Sequence, residues 1–359
     1  MNKSLIEASH AFGVVTDGVP CGNGHINSTF FAEKDGVPYI LQLINTNVFK
    51  NPCDIMNNMC KVTDHIKTKV LAENGDVDRE VMNILKTKDG SHLYVSENGE
   101  AFRSYKFIED SITVDGNATP EVFYQAGVGF GKFQNQLSDF PANELVEIIE
   151  KFHDTPSRIA KFKETMKTDK YDRVKSCEDV IEYILKYEKD ANIVVKGIEN
   201  KDIPLRVTHN DTKLNNILFD KTTKEALCVI DLDTVMPGSM LYDFGDAIRY
   251  GASTAAEDEK DLSKVRIDLE LFEAFTNGFV LQLKDSMTKS EAELLAFSSK
   301  LLTYELVVRF LEDYLAGDIY FKTDNLEHNL VRARNQMKIC QDIDLKLAQM
   351  NRIVKDILK

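Results

Sequence analysis

The chain has 359 residues, of which 43% are hydrophobic and 28% charged, and its formal net charge at pH 7 is −14. This length allows a sizeable buried core in two domains or in one large two-lobed domain. No Lys/Arg-rich block stands out, which speaks against a nucleic-acid-binding protein. The sequence has no apolar run near the roughly 20 residues that span a bilayer, and no secretory signal is recognisable. We therefore expect a cytoplasmic protein that has no membrane partner.

The acidic balance and the cysteines add little on their own. The acidity serves solubility, or part of it lines a site for a metal ion or a cationic substrate. The six cysteines are scattered along the chain, with neither a C-x-x-C pair nor a zinc-like spacing of histidines. They are predicted to be free thiols in a reducing compartment.

The first part of the chain is predicted to be rich in strands. Runs of β-branched and aromatic residues predict strands at residues 26–32, 38–43, 92–96 and 101–108. Between the second and third strands, apolar residues recur at spacings of three and four over residues 54–71, which predicts a helix. This order is typical of a small antiparallel sheet that carries one helix.

After Pro120 the pattern becomes mainly helical. Helices are predicted at residues 121–136, 143–153, 157–168, 178–200, 269–283, 291–315 and 326–358. Short strands interrupt them at residues 205–208, 217–219 and 226–230. We predict an N-terminal lobe over residues 1–110 and a larger, mostly helical C-terminal lobe over residues 111–359. The segment Gly127-Val128-Gly129-Phe130-Gly131-Lys132 lacks the Walker spacing, and its glycines are interpreted as close helix packing.

Polar residues cluster in two loops between residues 207 and 239. Asp211 follows His209 by two positions, Asn216 follows five residues later, and Asp231 ends an apolar strand fifteen residues beyond. Phosphoryl transfer needs a carboxylate that orients the attacking hydroxyl and oxygen ligands that hold Mg²⁺. This spacing is that of the catalytic and metal-binding loops of kinases. Asp211 is therefore the predicted base, and Asn216 and Asp231 are the predicted metal ligands.

Two other interpretations use the same residues. In one, they are ordinary turn and cap residues. In the other, Asp231-Leu232-Asp233-Thr234-Val235 is the motif of a haloacid-dehalogenase-type phosphatase, in which the first aspartate is a nucleophile and the second a general acid. That motif usually lies near the N-terminus of a Rossmann-like domain, and the interpretation leaves residues 209–216 unexplained.

A nucleotide also needs donors for its phosphates. The segment around Gly22 and Gly24, which continues to Asn27, precedes the first strand and could cradle phosphate oxygens with backbone N–H groups. Gln42 occupies the position in which kinases carry a lysine, so the usual Lys–Glu pair is missing. Lys213 is the first candidate for the compensating cation and could reach the γ-phosphate. These five residues are the predicted nucleotide-binding set.

The motifs together resemble those of the aminoglycoside phosphotransferase/choline kinase superfamily, whose signature is H-G-D-x-x-x-x-N followed by a strand and I-D. The resemblance runs nearly end to end and is strongest over residues 206–218, 230–240 and 243–246. Asn210 stands where the superfamily has glycine, and Gln42 where it has lysine. Within the superfamily the chain resembles the bacterial N-acetylhexosamine 1-kinases. The resemblance implies an α+β, two-lobed protein-kinase-like fold, with an antiparallel sheet and a helix in the small lobe and a mostly helical large lobe.

The resemblance also implies a reaction, in which ATP with Mg²⁺ phosphorylates the anomeric hydroxyl of N-acetylglucosamine or N-acetylgalactosamine. Asp211 would face the sugar, and Thr234, Arg309 and Tyr320 are further candidate substrate residues. The alternatives for the last two are a surface ion pair of Arg309 with a neighbouring acid, Glu312 or Asp313, and ordinary core packing of Tyr320. Asp243 is expected to cap a helix and to brace the catalytic loop.

Two other functions stay open at this point. One is a kinase of the same superfamily that acts on an amino alcohol, a thiosugar or an aminoglycoside. The other is a non-catalytic nucleotide-binding module, which the missing Lys–Glu pair suggests. The complete set of Asp211, Asn216 and Asp231 argues against the module, because binding alone does not require a base.

Overall fold

The computed structural model describes residues 2–22, 26–114, 116 and 118–359. The fold is mixed α+β, with a small antiparallel sheet near the N-terminus and a long helical region toward the C-terminus. This confirms the predicted fold class. Within the described part of the chain, no helix is both long and apolar enough to cross a membrane.

The elements are numbered in chain order. The helices are α1 Lys3–Phe12, α2 Pro52–Ala72, α3 Val77–Glu80, α4 Pro120–Gln136, α5 Thr155–Thr168, α6 Glu178–Tyr187, α7 Asn192–Glu199, α8 Met240–Gly251, α9 Leu269–Leu283, α10 Lys289–Ala316 and α11 His328–Ile357. The strands are β1 Ser28–Lys34, β2 Val37–Ile44, β3 Ile84–Leu85, β4 Tyr94–Val95, β5 Ala101–Lys106, β6 Ser111–Ile112, β7 Arg206–Thr208, β8 Ile217–Asp220, β9 Ala226–Val229 and β10 Met236–Gly238.

The chain divides into two compact units that alternate along the sequence. The first unit comprises the residues up to Thr113 together with Asp139–Ile149 and Asn216–Pro237, and the second comprises Val114–Ser138, Glu150–Asn215 and Gly238–Lys359. The predicted boundary at residue 110 lies near the first of these divisions. Two later segments nevertheless belong with the N-terminal residues.

The first unit contains a sheet with the order β1-β2-β5-β3, in which β4 also pairs with β5. The pairs are antiparallel, and β1 and β2 form a hairpin across Asp35 and Gly36, both of which have positive φ. Helix α1 contributes Leu5, Ala8 and Phe12 to an apolar cluster with the sheet. A second, three-stranded sheet of order β6-β8-β9 belongs to the same unit.

Helix α2 forms because its apolar residues share one face. Ile55, Met59 and Val62 are fully buried at spacings of three and four. The Asn51 side chain accepts a hydrogen bond from the N–H of Cys53, and Pro52 occupies the first turn. The predicted helix over residues 54–71 is therefore present with slightly wider bounds.

The second unit is built from packed helices. Helices α4 and α9 approach closely, because a Cβ on Gly127 would lie 2.2 Å from the carbonyl O of Phe275. A Cβ on Gly278 would lie 2.1 Å from the carbonyl O of Tyr124. A Cβ on Gly131 would lie 2.7 Å from the carbonyl O of Phe279, so Gly127 and Gly131 serve helix packing, as predicted. Helices α5, α6, α10 and α11 surround a separate core that includes Phe162, Tyr304 and Phe310.

Two helix predictions were wrong in extent. The predicted helix over residues 143–153 is present only as a short 3-10 turn, Ala142–Glu144. The predicted helix over residues 178–200 is divided into α6 and α7 by a 3-10 turn, Glu188–Ala191. Helix α9, by contrast, has the predicted bounds.

Candidate active site

The two predicted metal ligands lie at adjacent ends of β8 and β9 in the first unit. The register pairs Ile217 with Val229, and the N–H of Ile230 donates to the carbonyl O of Asn216 at 2.9 Å. Asn216, just before β8, is thereby next to the residues that follow β9, including Asp231. Amide and carboxylate oxygens are ligands that Mg²⁺ accepts, so this donor set fits the ion.

The number of protein ligands is small. Among the described residues, no group of three or more His, Cys, Asp or Glu side chains is arranged to hold a metal. Magnesium in nucleotide-dependent enzymes is commonly held by one or two protein carboxylates, with waters and phosphates as the other ligands. Asn216 and Asp231 are suited to that kind of site.

Asp231 has a left-handed backbone conformation, with φ 59° and ψ 59°. Aspartate tolerates this region better than most residues because its short side chain can form local hydrogen bonds. The chain turns sharply there and continues into the 3-10 turn Leu232–Thr234. Asp231 is exposed, whereas Leu232 and Asp233 are buried. Thr234, a predicted substrate residue, ends the same turn.

The catalytic-loop candidate begins after β7 in the second unit. The buried carboxylate of Asp243 accepts hydrogen bonds from the N–H groups of His209 at 2.9 Å and Asn210 at 2.7 Å. Gln134 donates its side-chain amide to the same carboxylate at 2.7 Å, and the Thr212 hydroxyl donates to the carbonyl O of Asp243 at 2.6 Å. Asp243 thus braces the loop, as expected.

The expected helix cap is a different residue. Ser239 is the N-cap of α8, and its hydroxyl accepts a hydrogen bond from the N–H of Leu241. Asp243 lies within the first turn of the helix. The braced loop explains the replacement of glycine by Asn210, since Asn210 has φ 66° and asparagine is among the residues that enter the left-handed region.

Lys213 lies beside the predicted base. Its ammonium group is 2.6 Å from a carboxylate oxygen of Asp211, in the same unit. Partial burial opposes the charge, but Asp211 and Asp246 hold the pKa of Lys213 above its ordinary value. Lys213 is therefore a cation that is paired with the predicted base in this conformation.

Gln42 lies in the middle of the first sheet, between Thr29 of β1 and Arg103 of β5. Its amide N–H donates to the Thr29 hydroxyl at 2.9 Å. Its carbonyl O accepts from Nε and Nη2 of Arg103 at 2.8 and 2.6 Å. A guanidinium group from the neighbouring strand thus lies against the position that carries lysine in kinases.

Arg103 was not a candidate from the sequence. It is almost completely buried, and its Nη1 donates to the carboxylate of Asp233. Burial of a charge is costly unless the charge is paired and hydrogen-bonded, so both residues are held in place by each other. Arg103 stands in β5 among both apolar and polar residues, including Ser104 and Lys106, so its position in the strand was no clear signal. Its partner Asp233 is 130 residues away in the sequence, so no short sequence pattern links the two residues.

The structure describes only part of the predicted phosphate-binding segment. Gly24 lies outside the described residues. Gly22 has φ 81°, a conformation that suits glycine, and is exposed. Asn27 donates its amide to Asp233 at 2.6 Å and accepts from the N–H of Asn45 at 2.9 Å. Asn27 therefore anchors the end of this segment within the first unit.

Two of the predicted substrate residues come together in the second unit. The Arg309 guanidinium carbon lies 5.8 Å from the ring centre of Tyr320 and 5.5 Å from that of Phe152. Tyr320 is 67% exposed, so the core-packing alternative is wrong. The acid near Arg309 is the buried Glu305, at 4.0 Å.

The proposed surface partners of Arg309 are engaged elsewhere. Glu312 accepts from Lys161 and Thr165. Asp313 is buried and accepts from backbone N–H groups of the loop that follows α10.

Glu305 organises the groups around Arg309. His153 lies 3.0 Å from its carboxylate, and the Thr155 hydroxyl donates to it at 2.8 Å. Arg158 is 3.7 Å away. Burial would raise the pKa of Glu305, but His153 and the two arginines lower it to about 2. Glu305 is thus an ionised carboxylate that holds two guanidinium groups in place.

The phosphatase interpretation does not fit this arrangement. Asp233, its general acid, is 3% exposed and bound by Arg103 and Asn27. The strand before Asp231 belongs to an antiparallel three-stranded sheet, whereas that interpretation requires the first strand of a Rossmann-like domain.

Solved structures share this fold over nearly the whole chain. A microcompartment-associated aminopropanol kinase aligns with 97% of this chain and 98% of its own, with a TM-score of 0.58 and 12% identity. An aminoglycoside phosphotransferase from Alicyclobacillus acidocaldarius aligns over 99% and 97%, with a TM-score of 0.60 and 12% identity. For choline kinase from Cryptosporidium parvum the coverage is 100% and 94%, the TM-score 0.52 and the identity 14%. At 12–14% sequence identity, these comparisons establish a similarity of fold.

The family follows from the sequence match. Residues 17–266 match the model of a family described as the phosphotransferase enzyme family, APH. The matched region is well over half of the chain and includes both polar loops and the segment around Gly22. The chain belongs to the APH phosphotransferase enzyme family.

Proposed function

We propose that this protein is an ATP- and Mg²⁺-dependent kinase that phosphorylates the anomeric hydroxyl of an N-acetylhexosamine. The observation that supports this acceptor best is the group formed by Arg309, Tyr320 and Phe152. An exposed phenol beside a guanidinium group and an aromatic ring offers directional hydrogen bonds and an apolar face, which a sugar ring requires. The resemblance to N-acetylhexosamine 1-kinases rests on the segments that contain these three residues and on the two polar loops between residues 207 and 239.

The chemistry assigns each residue a separate task. Asp211 accepts the proton of the anomeric hydroxyl while the sugar oxygen forms a bond to the γ-phosphorus, and the bond from that phosphorus to the β–γ bridging oxygen breaks to release ADP. Mg²⁺, held by Asn216 and Asp231, would neutralise phosphate charge. Lys213 holds Asp211 by an ion pair and could turn to the transferred phosphoryl group when the nucleotide binds. Positioning and charge neutralisation supply most of the acceleration.

The charge around Tyr320 argues for a neutral acceptor. Arg158 and Arg309 both lie over the ring of Phe152, at 5.9 and 5.5 Å from its centre. Glu305 is already shared by these two arginines and His153. An ammonium group of an amino alcohol or an aminoglycoside would meet two fixed cations there. An acetamido sugar carries no charge and avoids that repulsion.

The experiment is a direct assay of the acceptor. Purified protein would be incubated with Mg-ATP and, separately, N-acetylglucosamine, N-acetylgalactosamine, aminopropanol, choline and spectinomycin. ³¹P NMR with proton coupling identifies a phosphate on the anomeric oxygen. We expect an N-acetylhexosamine 1-phosphate as the main product. Phosphorylation of a cationic acceptor instead would refute the sugar assignment and retain the kinase, whereas lack of ATP binding would refute the kinase.

A variant separates acceptor binding from nucleotide binding. Arg309→Met should raise the KM for the sugar by about tenfold or more, because a bidentate donor is lost from the acceptor site. Binding of ADP should stay unchanged. Lys161→Met serves as a control, since Lys161 is an exposed residue that pairs with Glu312.

A further inference from the structure

The carboxylate of Asp233 joins distant segments of the first unit. One oxygen accepts from the amide of Asn27 at 2.6 Å, and the other accepts from Nη1 of Arg103. Asp233 is 3% exposed and lies two residues after Asp231, the predicted metal ligand. A single buried carboxylate thus connects the end of the predicted phosphate loop, the central strand β5 and the turn that carries Asp231.

Arg103 is fixed from two sides. Its Nε and Nη2 donate to the carbonyl O of Gln42, and the amide of Gln42 in turn donates to Thr29. Since Arg103 is 1% exposed, it does not offer its guanidinium group directly to a ligand in this conformation. Its effect on a bound nucleotide must pass through the residues that it holds.

The charge of Arg103 identifies the residues that it holds. Burial opposes the charge on Arg103, and the ion pair with the equally buried Asp233 compensates for it. Asp231 lies two residues before the carboxylate that binds this guanidinium group. Its left-handed backbone is a conformation that surrounding contacts must maintain. The ion pair of Arg103 with Asp233 provides such a contact two residues along the chain.

We propose that Arg103, held by Gln42 and paired with Asp233, replaces the missing Lys–Glu pair as the device that positions Asn27 and the Asp231 turn for the metal–nucleotide complex. Arg103 is a positioning residue in this scheme. The proposal rests on the proposed function only for the use of Mg²⁺ and a nucleotide, and is independent of which acceptor is phosphorylated. In this scheme Gln42 binds the guanidinium group of Arg103 on the neighbouring strand.

The test measures metal-dependent nucleotide binding without any acceptor. ADP affinity is determined by calorimetry with excess EDTA and at a series of Mg²⁺ concentrations. Arg103→Met should weaken the Mg²⁺-dependent part of the affinity by about tenfold or more, as loss of a group that orients a metal ligand commonly does. Affinity for ADP in EDTA should change far less. Arg103→Lys keeps a charge without the planar fork and should recover part of the loss.

A charge exchange gives a second, independent result. Gln42→Lys alone places an ammonium group against the buried guanidinium group, so it should lower stability and Mg²⁺-dependent binding. In the double variant Gln42→Lys/Arg103→Met, the lysine takes the pairing with Asp233. We expect it to bind ADP with Mg²⁺ more tightly than either single variant.

Controls distinguish positioning from general loss of stability. Arg79→Met removes another arginine–carboxylate pair of the same unit, with Asp220, and should leave the Mg²⁺ dependence unchanged. Should the Arg103 variants not fold, Asn27→Ala still removes one bond to Asp233, and it should weaken Mg²⁺-dependent binding in the same direction. Full Mg²⁺ dependence of ADP binding in Arg103→Met would overturn the proposal and leave the kinase assignment intact. The same result in Asn27→Ala would overturn it if the Arg103 variants do not fold. A wild-type protein that bound no ADP would overturn both.

Discussion

The carboxylate of Asp313 accepts a hydrogen bond from the backbone N–H of Tyr320 at 2.7 Å. The same carboxylate accepts from the N–H groups of Ile319 and Phe321, both at 2.9 Å, and from the side chain of Asn329. One buried acid on α10 thus determines the conformation of the loop that presents Tyr320. Arg309 lies one helical turn before it and contacts the Tyr320 ring, so a single helix positions both predicted sugar contacts.

Replacement of Asp313 should weaken binding of the acceptor sugar more than binding of the nucleotide. Asp313→Ala leaves three loop N–H groups without their acceptor, which should cost about 3 kcal/mol of unfolding free energy. The KM for the sugar should rise by on the order of tenfold, because Tyr320 is no longer held. Steady-state kinetics and calorimetry with ADP measure the two effects. Glu312→Gln, on the neighbouring position of the same helix, should leave both constants unaltered, and an equal rise in the ADP dissociation constant would contradict this role.

The predicted base can be tested apart from binding. Asp211→Asn keeps the shape of the side chain but removes the proton acceptor, so turnover should fall by roughly 10²–10⁴-fold. The dissociation constant for ADP should change little. Rapid-quench turnover and calorimetry on the same preparation check this, with the exposed Glu225→Gln of the β8–β9 turn as the control. Turnover near the wild-type value would remove Asp211 from the mechanism.

Acid stability should depend on Glu305. Its pKa falls from 4.5 in a free side chain to about 2, since His153 and the two arginines outweigh the burial that would raise it. A lowered pKa stabilises the fold above pH 4.5, and that contribution of about 3 kcal/mol is lost as the pH falls from 4.5 towards 2. Urea titrations at several pH values measure the slope. Glu305→Gln should be less stable at pH 7 and should lose less stability between pH 4.5 and 2.5. An unchanged acid slope would show that other carboxylates cause it.

The glycine-rich segment of α4 should matter for folding and not for the nucleotide. Gly127→Ala brings a methyl group against the carbonyl O of Phe275 and should cost about 1–3 kcal/mol. Lys132→Ala removes the only charge of that segment and should leave ADP affinity at the wild-type value. Chemical denaturation and calorimetry give the two readings. A marked loss of ADP affinity in Lys132→Ala would mean that the segment binds phosphate after all.

The sequence predicted best what is local. The periodicity of α9 and the spacing of Asp211, Asn216 and Asp231 can be read in short windows, and the β8–β9 register then brings Asn216 next to the end of β9. Arg103 and Asp233 could not be found in this way. Their pairing depends on the fold of the whole first unit, and each residue alone looks like an ordinary charge.

The missing helix over residues 143–153 has a tertiary cause. Both backbone groups of Val146 are taken by the side chain of Asn58, with distances of 2.9 Å to its N–H and 2.7 Å to its carbonyl O. Lys61 binds the carbonyl O of Glu144 at 2.8 Å. Backbone groups that are captured by α2 cannot form the i to i+4 bonds of a helix, so the amphipathic pattern of this segment is overridden.

The interleaved composition of the first unit has a consequence for biosynthesis. The last segment of this unit is Asn216–Pro237, and about 90 residues of the second unit are translated before that segment begins. The N-terminal sheet therefore emerges from the ribosome long before β8, β9 and Asp233 exist, and the guanidinium group of Arg103 has no carboxylate partner at residue 233 during that time. Contacts between residues so far apart in sequence form slowly. Completion of the first unit must wait for about two thirds of the polypeptide. Nascent chains halted before Val229, where β9 ends, carry an unfinished three-stranded sheet, which chaperones are suited to shield.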